Sequence, residues 1–386
     1  MSKLFQPVIL FALTWLFVIL LFSLRLSNIL QESISTAWEF YALITITFFS
    51  GYTFAFFFKK KVSLSTDIIY NVNEYFFKKY DKFLIGLIIL SFIEVIYSKG
   101  VPLAWLFIGN GKVYTDYGIP SIHGFTNALG LVLALISSYY YKITKKKKYL
   151  IITIGFIIWN IILISRQVIV SLMIEIFVIN FITSQEKRKV LLKIIFYMLI
   201  IVTGFGILGD LRTGGDAFLA LASPSDNWPL WLPSGFLWAY IYVTTPINNL
   251  LFNFTFSITH YHYLFPNTLA LLFPSVIRNI IFNPADYTTG GDLVTEAFNV
   301  SSAFVSPYID MGYMGIIIFT FAIGIISNLV WWVKGIKRFF YRAILIQILV
   351  LSIFYNMFVY LPVVFQFVWI AIFFAGFNKK NDPAYE

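Results

Sequence analysis

The chain of 386 residues contains no cysteine and few charged residues, which occupy 12% of its positions. Without cysteine it has no disulfide framework, no thiolate nucleophile and no thiolate metal site. Hydrophobic residues occupy 59% of the positions and the mean hydropathy is +0.82, values that an ordinary soluble domain of this length does not reach. The composition therefore predicts an all-α polytopic membrane protein.

Acidic residues are also scarce, with 18 Asp and Glu against 28 Lys and Arg and a net charge of +10. In a soluble chain this charge would suggest nucleic-acid binding. Here the basic residues form short clusters between apolar runs, the pattern of cytoplasmic connectors that face anionic lipid. We therefore expect membrane lipid, and no nucleic acid, as a partner.

About ten apolar runs are candidate membrane spans. The 36 residues between Lys148 and Gln185 would make one helix of about 54 Å, near twice the hydrocarbon thickness. The chain must therefore cross twice here, and Arg166 lies at the predicted turn. The runs lie at about 5–24, 38–58, 83–97, 122–141, 148–165, 167–185, 190–209, 312–332, 340–360 and 363–377.

The distribution of basic residues predicts the orientation. With ten spans and both termini in the cytoplasm, 22 of the 28 Lys and Arg residues are cytoplasmic, as the positive-inside rule requires. The remaining basic residues then lie outside: Arg25, Lys99, Lys112, Arg166, Arg212 and Arg278.

This topology divides a single integral membrane domain into three parts. Residues 1–209 form an N-terminal bundle with spans one to seven, residues 210–311 form one large extracytoplasmic loop, and residues 312–386 carry spans eight to ten and a cytoplasmic tail. Two apolar parts of the loop, 236–258 and 263–282, would raise the number of spans to 12 if both crossed. Their connector lacks Lys and Arg, and Pro246, Pro266 and Pro274 interrupt them, which favours interfacial or re-entrant helices.

Three outside arginines, Arg166, Arg212 and Arg278, lie near predicted membrane boundaries. A guanidinium is planar and can donate two parallel hydrogen bonds to one phosphate. Gly214 and Gly215 follow Arg212 and let backbone amides approach an anion closely. The pattern is typical of a cradle for a lipid-linked pyrophosphate. The alternative is that each arginine reaches the interface or pairs with an acid.

Proton transfer at the same side of the membrane would use a histidine, or a carboxylate whose pKa is raised by burial. The outside candidates are His123, His260, His262, Glu94, Asp116, Asp210, Asp216, Asp292, Glu296 and Asp310. The alternative is that these histidines lie at the surface or the membrane interface and have no catalytic role. The His260-Tyr261-His262 pattern lacks a third ligand at a recognisable spacing, so we predict no metal. Glu175, in the middle of a span, is expected to pair with a neighbour such as Asn160.

Four local patterns, together with the many spans and the one large loop in the second half, resemble a known family. They are I-S-R-Q at 164–167, D-L-R-T-G-G at 210–215, Tyr240 followed by T-P-I-N-N at 245–249, and S-P-Y-I-D-M-G-Y-M-G at 306–315. The chain resembles the Wzy-type O-antigen and capsular oligosaccharide repeat-unit polymerases of bacteria.

The resemblance implies a metal-independent glycosyltransferase without a cofactor in the bacterial cytoplasmic (inner) membrane. Such an enzyme moves a growing glycan from undecaprenyl pyrophosphate onto a newly flipped, lipid-linked repeat unit at the periplasmic face, alongside a chain-length regulator and a flippase. It implies pyrophosphate or substrate binding by Arg166, Arg212, Arg278, Gly214, Gly215, Tyr240 and Tyr308. The catalytic base stays open among His260, His262, Glu296 and Asp310.

Two other functions remain open. An O-antigen ligase shares the large loop and the arginine site but uses a different acceptor, and it is expected to carry a loop histidine near an arginine. A flippase or transporter of lipid-linked oligosaccharide is expected to show internal repeats, short loops and several charges deep in its spans. Only Glu175 is that deep in this sequence.

Overall fold

The computed structural model describes residues 5–58, 74–109, 111–193, 195–196, 199–200, 202–203, 215–229, 231–256, 264–283 and 290–375. Helices form nearly all the regular structure within these ranges, as the composition predicts. We number the helices α1 Pro7–Ser23, α2 Ile34–Phe54, α3 Glu74–Ser98, α4 Pro102–Ile108, α5 His123–Thr144, α6 Lys147–Ile162, α7 Arg166–Thr183, α8 Gly215–Ala222, α9 Ser234–Phe256, α10 Pro266–Leu269, α11 Ser275–Ile281, α12 Val305–Trp331, α13 Lys337–Leu351 and α14 Leu361–Phe373.

Several helices have the length and composition of membrane spans. Four described segments are long and apolar enough to cross a bilayer: Ile34–Phe57, Phe77–Ile108, Arg166–Thr183 and Val305–Trp331. The helices Pro7–Ser23 and Leu361–Phe373 are also apolar but shorter. These features are those of a helical polytopic membrane protein. The full number of ten spans stays a prediction.

The predicted turn near Arg166 is confirmed. Helix α6 ends at Ile162 and α7 begins at Arg166. Ile164 adopts a left-handed conformation with φ 57°, and the Ser165 N–H donates to the Asn160 carbonyl at 2.9 Å. The Asn160 side-chain amide donates to the Phe156 carbonyl at 2.9 Å, so Asn160 is not the partner of Glu175. Instead, the Gln366 amide donates to the buried Glu175 carboxylate at 3.0 Å.

The expectation that Pro246 interrupts the first apolar part of the loop is wrong. Helix α9 runs without a break from Ser234 to Phe256 with Pro246 inside it. The hydroxyls of Thr244 and Thr245 donate to carbonyls one turn earlier, a common adjustment in helices that contain proline. The second apolar part is divided as expected, into α10, a short 3-10 turn and α11. Whether either part spans stays a prediction.

The C-terminal helices differ from the predicted runs. Helix α12 starts at Val305, before the predicted span, and is kinked at Met311 and Gly312, where Gly312 has φ 59°. Helix α13 ends at Leu351, so the predicted run to residue 360 is wrong for its last nine residues, which form turns. With 15 and 13 residues, α13 and α14 are about 22 and 20 Å long, shorter than a bilayer core of about 30 Å.

The segment 352–360 between these two short helices is called the inner turn. The Trp15 indole N–H donates to the Ser352 hydroxyl at 3.3 Å. Because Trp15 lies in the middle of α1, the inner turn begins well inside the bundle. The start of the inner turn also contacts the end of the large loop, because the Ala303 N–H donates to the Ser352 carbonyl at 2.9 Å.

The core is held by close helix packing and by aromatic rings. Helices α2 and α12 make the most extensive contact. A Cβ atom at Gly51 would lie 2.1 Å from the Phe321 carbonyl oxygen, and one at Gly324 would lie 2.5 Å from the Phe48 carbonyl oxygen. Small residues at such crossings let membrane helices approach closely. The rings of Phe11 and Phe48 stack at 4.3 Å beside this crossing.

Candidate functional site

The described parts of the large loop fold against one end of the bundle, which we call the loop end. This end carries the connections from α1 to α2, from α4 to α5 and from α6 to α7. Ser27 forms a bridge with Pro224, and the hydroxyls of Ser121 and Ser275 lie 2.7 Å apart. The loop therefore contacts several connections between helices and forms one continuous surface with them.

Arg278 lies on α11, which rests on the connection before α5. The Ser121 hydroxyl accepts a hydrogen bond from the Val276 N–H at 3.2 Å and so holds the start of this helix. Arg278 is half-buried and lies close enough to the Tyr355 hydroxyl for the two groups to interact electrostatically. Its guanidinium thus reaches one side of the inner turn.

Arg166 also lies near the inner turn. It is the first residue of α7 and is exposed, and the adjacent Gln167 amide donates to the Met357 sulfur at 3.4 Å. Ser165 makes no side-chain capping bond, so the first N–H groups of α7 add a partial positive charge to that of the arginine. The fold therefore brings Arg166 and Arg278, 112 residues apart in sequence, to one turn.

An acid–imidazole pair lies at the loop end near α11. The Nδ1 atom of His123, the first residue of α5, is 3.1 Å from the Glu94 carboxylate on α3. The Asn127 amide lies 2.9 Å from Nε2 of the same ring. With Nδ1–H donating to Glu94, the neutral ring accepts from Asn127 at Nε2. Glu94 is 2% exposed and the His123 side chain 28%, so solvent reaches the imidazole but hardly reaches the carboxylate.

Two neighbouring residues, Gly118 and Tyr117, pack against the His123 ring. Gly118 has φ +98°, and a Cβ atom there would lie 2.4 Å from the His123 ring, so only glycine fits against the imidazole in this backbone conformation. The Tyr117 ring meets the imidazole edge to face at 5.4 Å. A carboxylate that orients an imidazole is the usual arrangement of a general base. The sequence shows both residues at predicted span ends on the same side, but their pairing only appears in the fold.

Asp310 accepts four hydrogen bonds in a fully buried position. The donors are the backbone N–H and side-chain amide of Asn267, at 3.0 and 2.8 Å, and the backbone N–H and hydroxyl of Thr268, at 2.8 and 2.6 Å. The carboxylate therefore caps α10 across the fold. Its role as a base stays a prediction.

The two tyrosines expected to contact substrate also take part in the fold. The Tyr240 hydroxyl accepts from the Leu26 N–H at 3.0 Å, and the Tyr308 hydroxyl donates to the Phe254 carbonyl at 3.1 Å. Both side chains are buried.

Arg25 donates to the Leu30 and Glu32 carbonyls, and burial lowers the pKa of its guanidinium. These bonds hold Arg25 against the connection between α1 and α2.

Glu296 and Gly215 lie in short helical elements of the large loop. Glu296 is exposed on a short 3-10 turn, which Asn249 holds by donating to the Phe298 and Val300 carbonyls, each at 2.9 Å. Gly215 is the first residue of α8. In the described parts of the chain, no group of three or more His, Cys, Asp or Glu side chains could hold a metal ion. Five predicted residues lie outside the described ranges: Asp210, Arg212, Gly214, His260 and His262.

Comparison of the chain with protein-family models, with curated proteins and with solved structures finds no match.

Proposed function

We propose that this protein is a glycosyltransferase that joins lipid-linked oligosaccharide repeat units into O-antigen or capsule chains. In this proposal the substrates carry undecaprenyl pyrophosphate, and the reaction takes place at the loop end, on the outer face of a bacterial inner membrane. The observation that supports it best is the position of Arg166 and Arg278, which both lie near the inner turn. A pyrophosphate-linked substrate needs cations of this kind next to a membrane.

The two arginines have a direct role in the proposed chemistry. When the bond from the sugar to the pyrophosphate breaks, the leaving pyrophosphate gains negative charge. Guanidinium groups that are already in place stabilise this charge in the transition state more than in the ground state. The exposed Arg166 and the uncapped start of α7 suit one phosphate group, and Arg278 suits the other. Arg212 is proposed as a third cation.

The hydroxyl of the acceptor sugar must lose a proton as it attacks. The Glu94–His123 pair supplies a base within this proposal, because His123 is two residues from Ser121, which contacts the helix that carries Arg278. A sugar hydroxyl would replace the Asn127 amide as the hydrogen-bond donor to Nε2. Glu94 would then stabilise the imidazolium that forms. The alternatives predicted from the sequence remain to be compared with this pair by mutation: His260, His262, Glu296 and Asp310.

Deletion in the host organism tests the class of function. Loss of a polymerase should leave single repeat units on the lipid A core, whereas loss of a ligase or a flippase should leave no attached glycan. Arg166→Ala should reproduce the single-repeat pattern at normal membrane expression. Lys148→Ala is the matched control, because Lys148 is an exposed cation that pairs with Asp81 at 2.8 Å, away from the loop end. Long chains in the Arg166→Ala strain would exclude the proposed role of this arginine.

A further inference from the structure

An apolar groove runs along the bundle between α3, α5 and α6. It has a volume of about 500 Å³ and is lined by aliphatic and aromatic side chains, including Leu87, Ile88, Leu133 and Phe156. Ser91 contributes the one hydroxyl group of the lining. The lining on α3 extends from Leu84 to Val95, which corresponds to about 16 Å along the helix. The groove is thus long, narrow and nearly without hydrogen-bonding groups.

Two glycines shape this groove. At Gly130 a Cβ atom would lie 2.2 Å from the Phe156 ring, so the absence of a side chain lets this ring lie flat against α5. At Gly155 a Cβ atom would have no heavy atom within 4 Å. Gly155 therefore faces open space in the groove, and a larger side chain there would fill the groove without a clash.

One end of the groove meets positive charge. Val95 and Trp159 line this end and also pack against a small cluster formed by Trp105, Tyr117 and Leu163. The Lys112 ammonium lies 5.0 Å from the Trp105 ring and donates to the Ser98 carbonyl at 2.8 Å.

The charged end also adjoins the proposed pyrophosphate site. Ser98 is three residues beyond Val95 on α3, and Arg166 is three residues beyond Leu163. The groove therefore offers apolar surface along its length and two cations, Lys112 and Arg166, at its loop end.

We infer that this groove binds the isoprenoid chain of a lipid pyrophosphate, whose charged head then lies near Lys112 and Arg166. The apolar lining fits a hydrocarbon chain, and two cations near one end fit a head group with more negative charge than one phosphodiester. This inference rests on the proposed function, since it names the surface that holds the lipid part of the same substrate. The groove keeps the reacting pyrophosphate close to the inner turn.

Photolabelling of the purified full-length protein in lipid nanodiscs tests the inference. The probe is a polyprenyl pyrophosphate that carries a photoreactive diazirine near the middle of its chain. Labelled peptides should map to 84–95, 130–134 and 152–159. Unlabelled polyprenyl pyrophosphate should compete with the probe, and phosphatidylglycerol at the same concentration should not.

A matched pair of variants makes the test specific to the groove. Gly155→Leu fills the groove and should lower labelling at least fivefold. Gly86→Leu adds the same side chain to α3 at a position that also has no heavy atom within 4 Å of a Cβ atom but does not line the groove, and should change labelling less than twofold. Labelling elsewhere, equal labelling of the two variants, or equal competition by phosphatidylglycerol would each overturn the inference.

The outcome also separates this inference from the proposed function. If the deletion strain shows the single-repeat pattern but labelling avoids the groove, the groove assignment is wrong and the proposed function stands. If labelling follows the prediction but deletion leaves chain length unchanged, the lipid site stands and the polymerase proposal is wrong.

Discussion

Replacement of Asp310 by asparagine distinguishes an anchoring role from a catalytic one. Each oxygen of the carboxylate accepts two hydrogen bonds, one pair from Asn267 and one pair from Thr268. An asparagine side chain presents an NH₂ group in place of one oxygen, so two buried donors lose their acceptor whichever way the amide is oriented. If Asp310 anchors α10, this loss must weaken the fold around it.

The size of the effect follows from the number of bonds. A hydrogen bond to a charged group contributes about 1.5–3 kcal/mol, so the loss of two would cost about 3–6 kcal/mol. The Thr268 hydroxyl can rotate and accept from the new amide, which favours the lower value of about 3 kcal/mol. Asp310→Ala removes both acceptor oxygens and all four hydrogen bonds, and should cost about 6 kcal/mol or more, comparable to the whole stability of many domains.

Hydrogen exchange and thermal unfolding measure this effect. In Asp310→Asn, amides in 264–272 should exchange faster and the unfolding temperature should fall. Thr268→Val removes one donor and keeps the size of the side chain, and it should show a coupling of about 1 kcal/mol or more with Asp310→Asn. Native exchange and native stability in Asp310→Asn, together with complete loss of chain growth, would refute the anchoring role and identify Asp310 as a catalytic base.

Further substitutions test three other parts of the structure. Glu94→Gln should lower chain growth about 10²–10⁴-fold and shift its pH profile, because His123 loses the carboxylate that orients it; an unchanged rate would rule out this pair. Gly51→Ala should lower stability by about 1–3 kcal/mol, since its Cβ would lie 2.1 Å from a carbonyl oxygen of α12; native thermal unfolding would show that the helices separate easily. Gln366→Leu should cost about 1–3 kcal/mol by leaving the buried Glu175 without its donor, whereas Glu175→Gln should be tolerated; equal melting temperatures for both would contradict this pairing.

The sequence predicts those features of the fold that depend on local pattern and length. The apolar runs give the helices, and the 36 residues between Lys148 and Gln185 require a turn, which the structure has just before Arg166. The short length of α13 was not predictable from hydropathy, because the inner turn that follows it is itself apolar and mostly buried. The continuity of α9 through Pro246 was not predictable either, because the contacts of this helix with α1 and α2 appear only in the fold.

The candidate site depends on contacts between distant residues, which a single sequence does not reveal. Arg166 and Arg278 are recognisable one by one from their predicted side of the membrane. Their convergence on the inner turn requires the positions of α7 and α11. Similarly, Glu94 and His123 are 29 residues apart and belong to different helices, so only their common end of the bundle is predictable.

Chain growth by the purified protein is the most direct test of the central proposal. The wild-type protein in nanodiscs, supplied with a defined oligosaccharide repeat unit on undecaprenyl pyrophosphate, should produce a ladder of glycans that differ by one repeat unit, without added metal. The Arg166→Ala protein should leave the single unit unchanged. Transfer of the lipid-linked unit across the bilayer with no growth, by correctly inserted wild-type protein, would contradict the assignment as a polymerase.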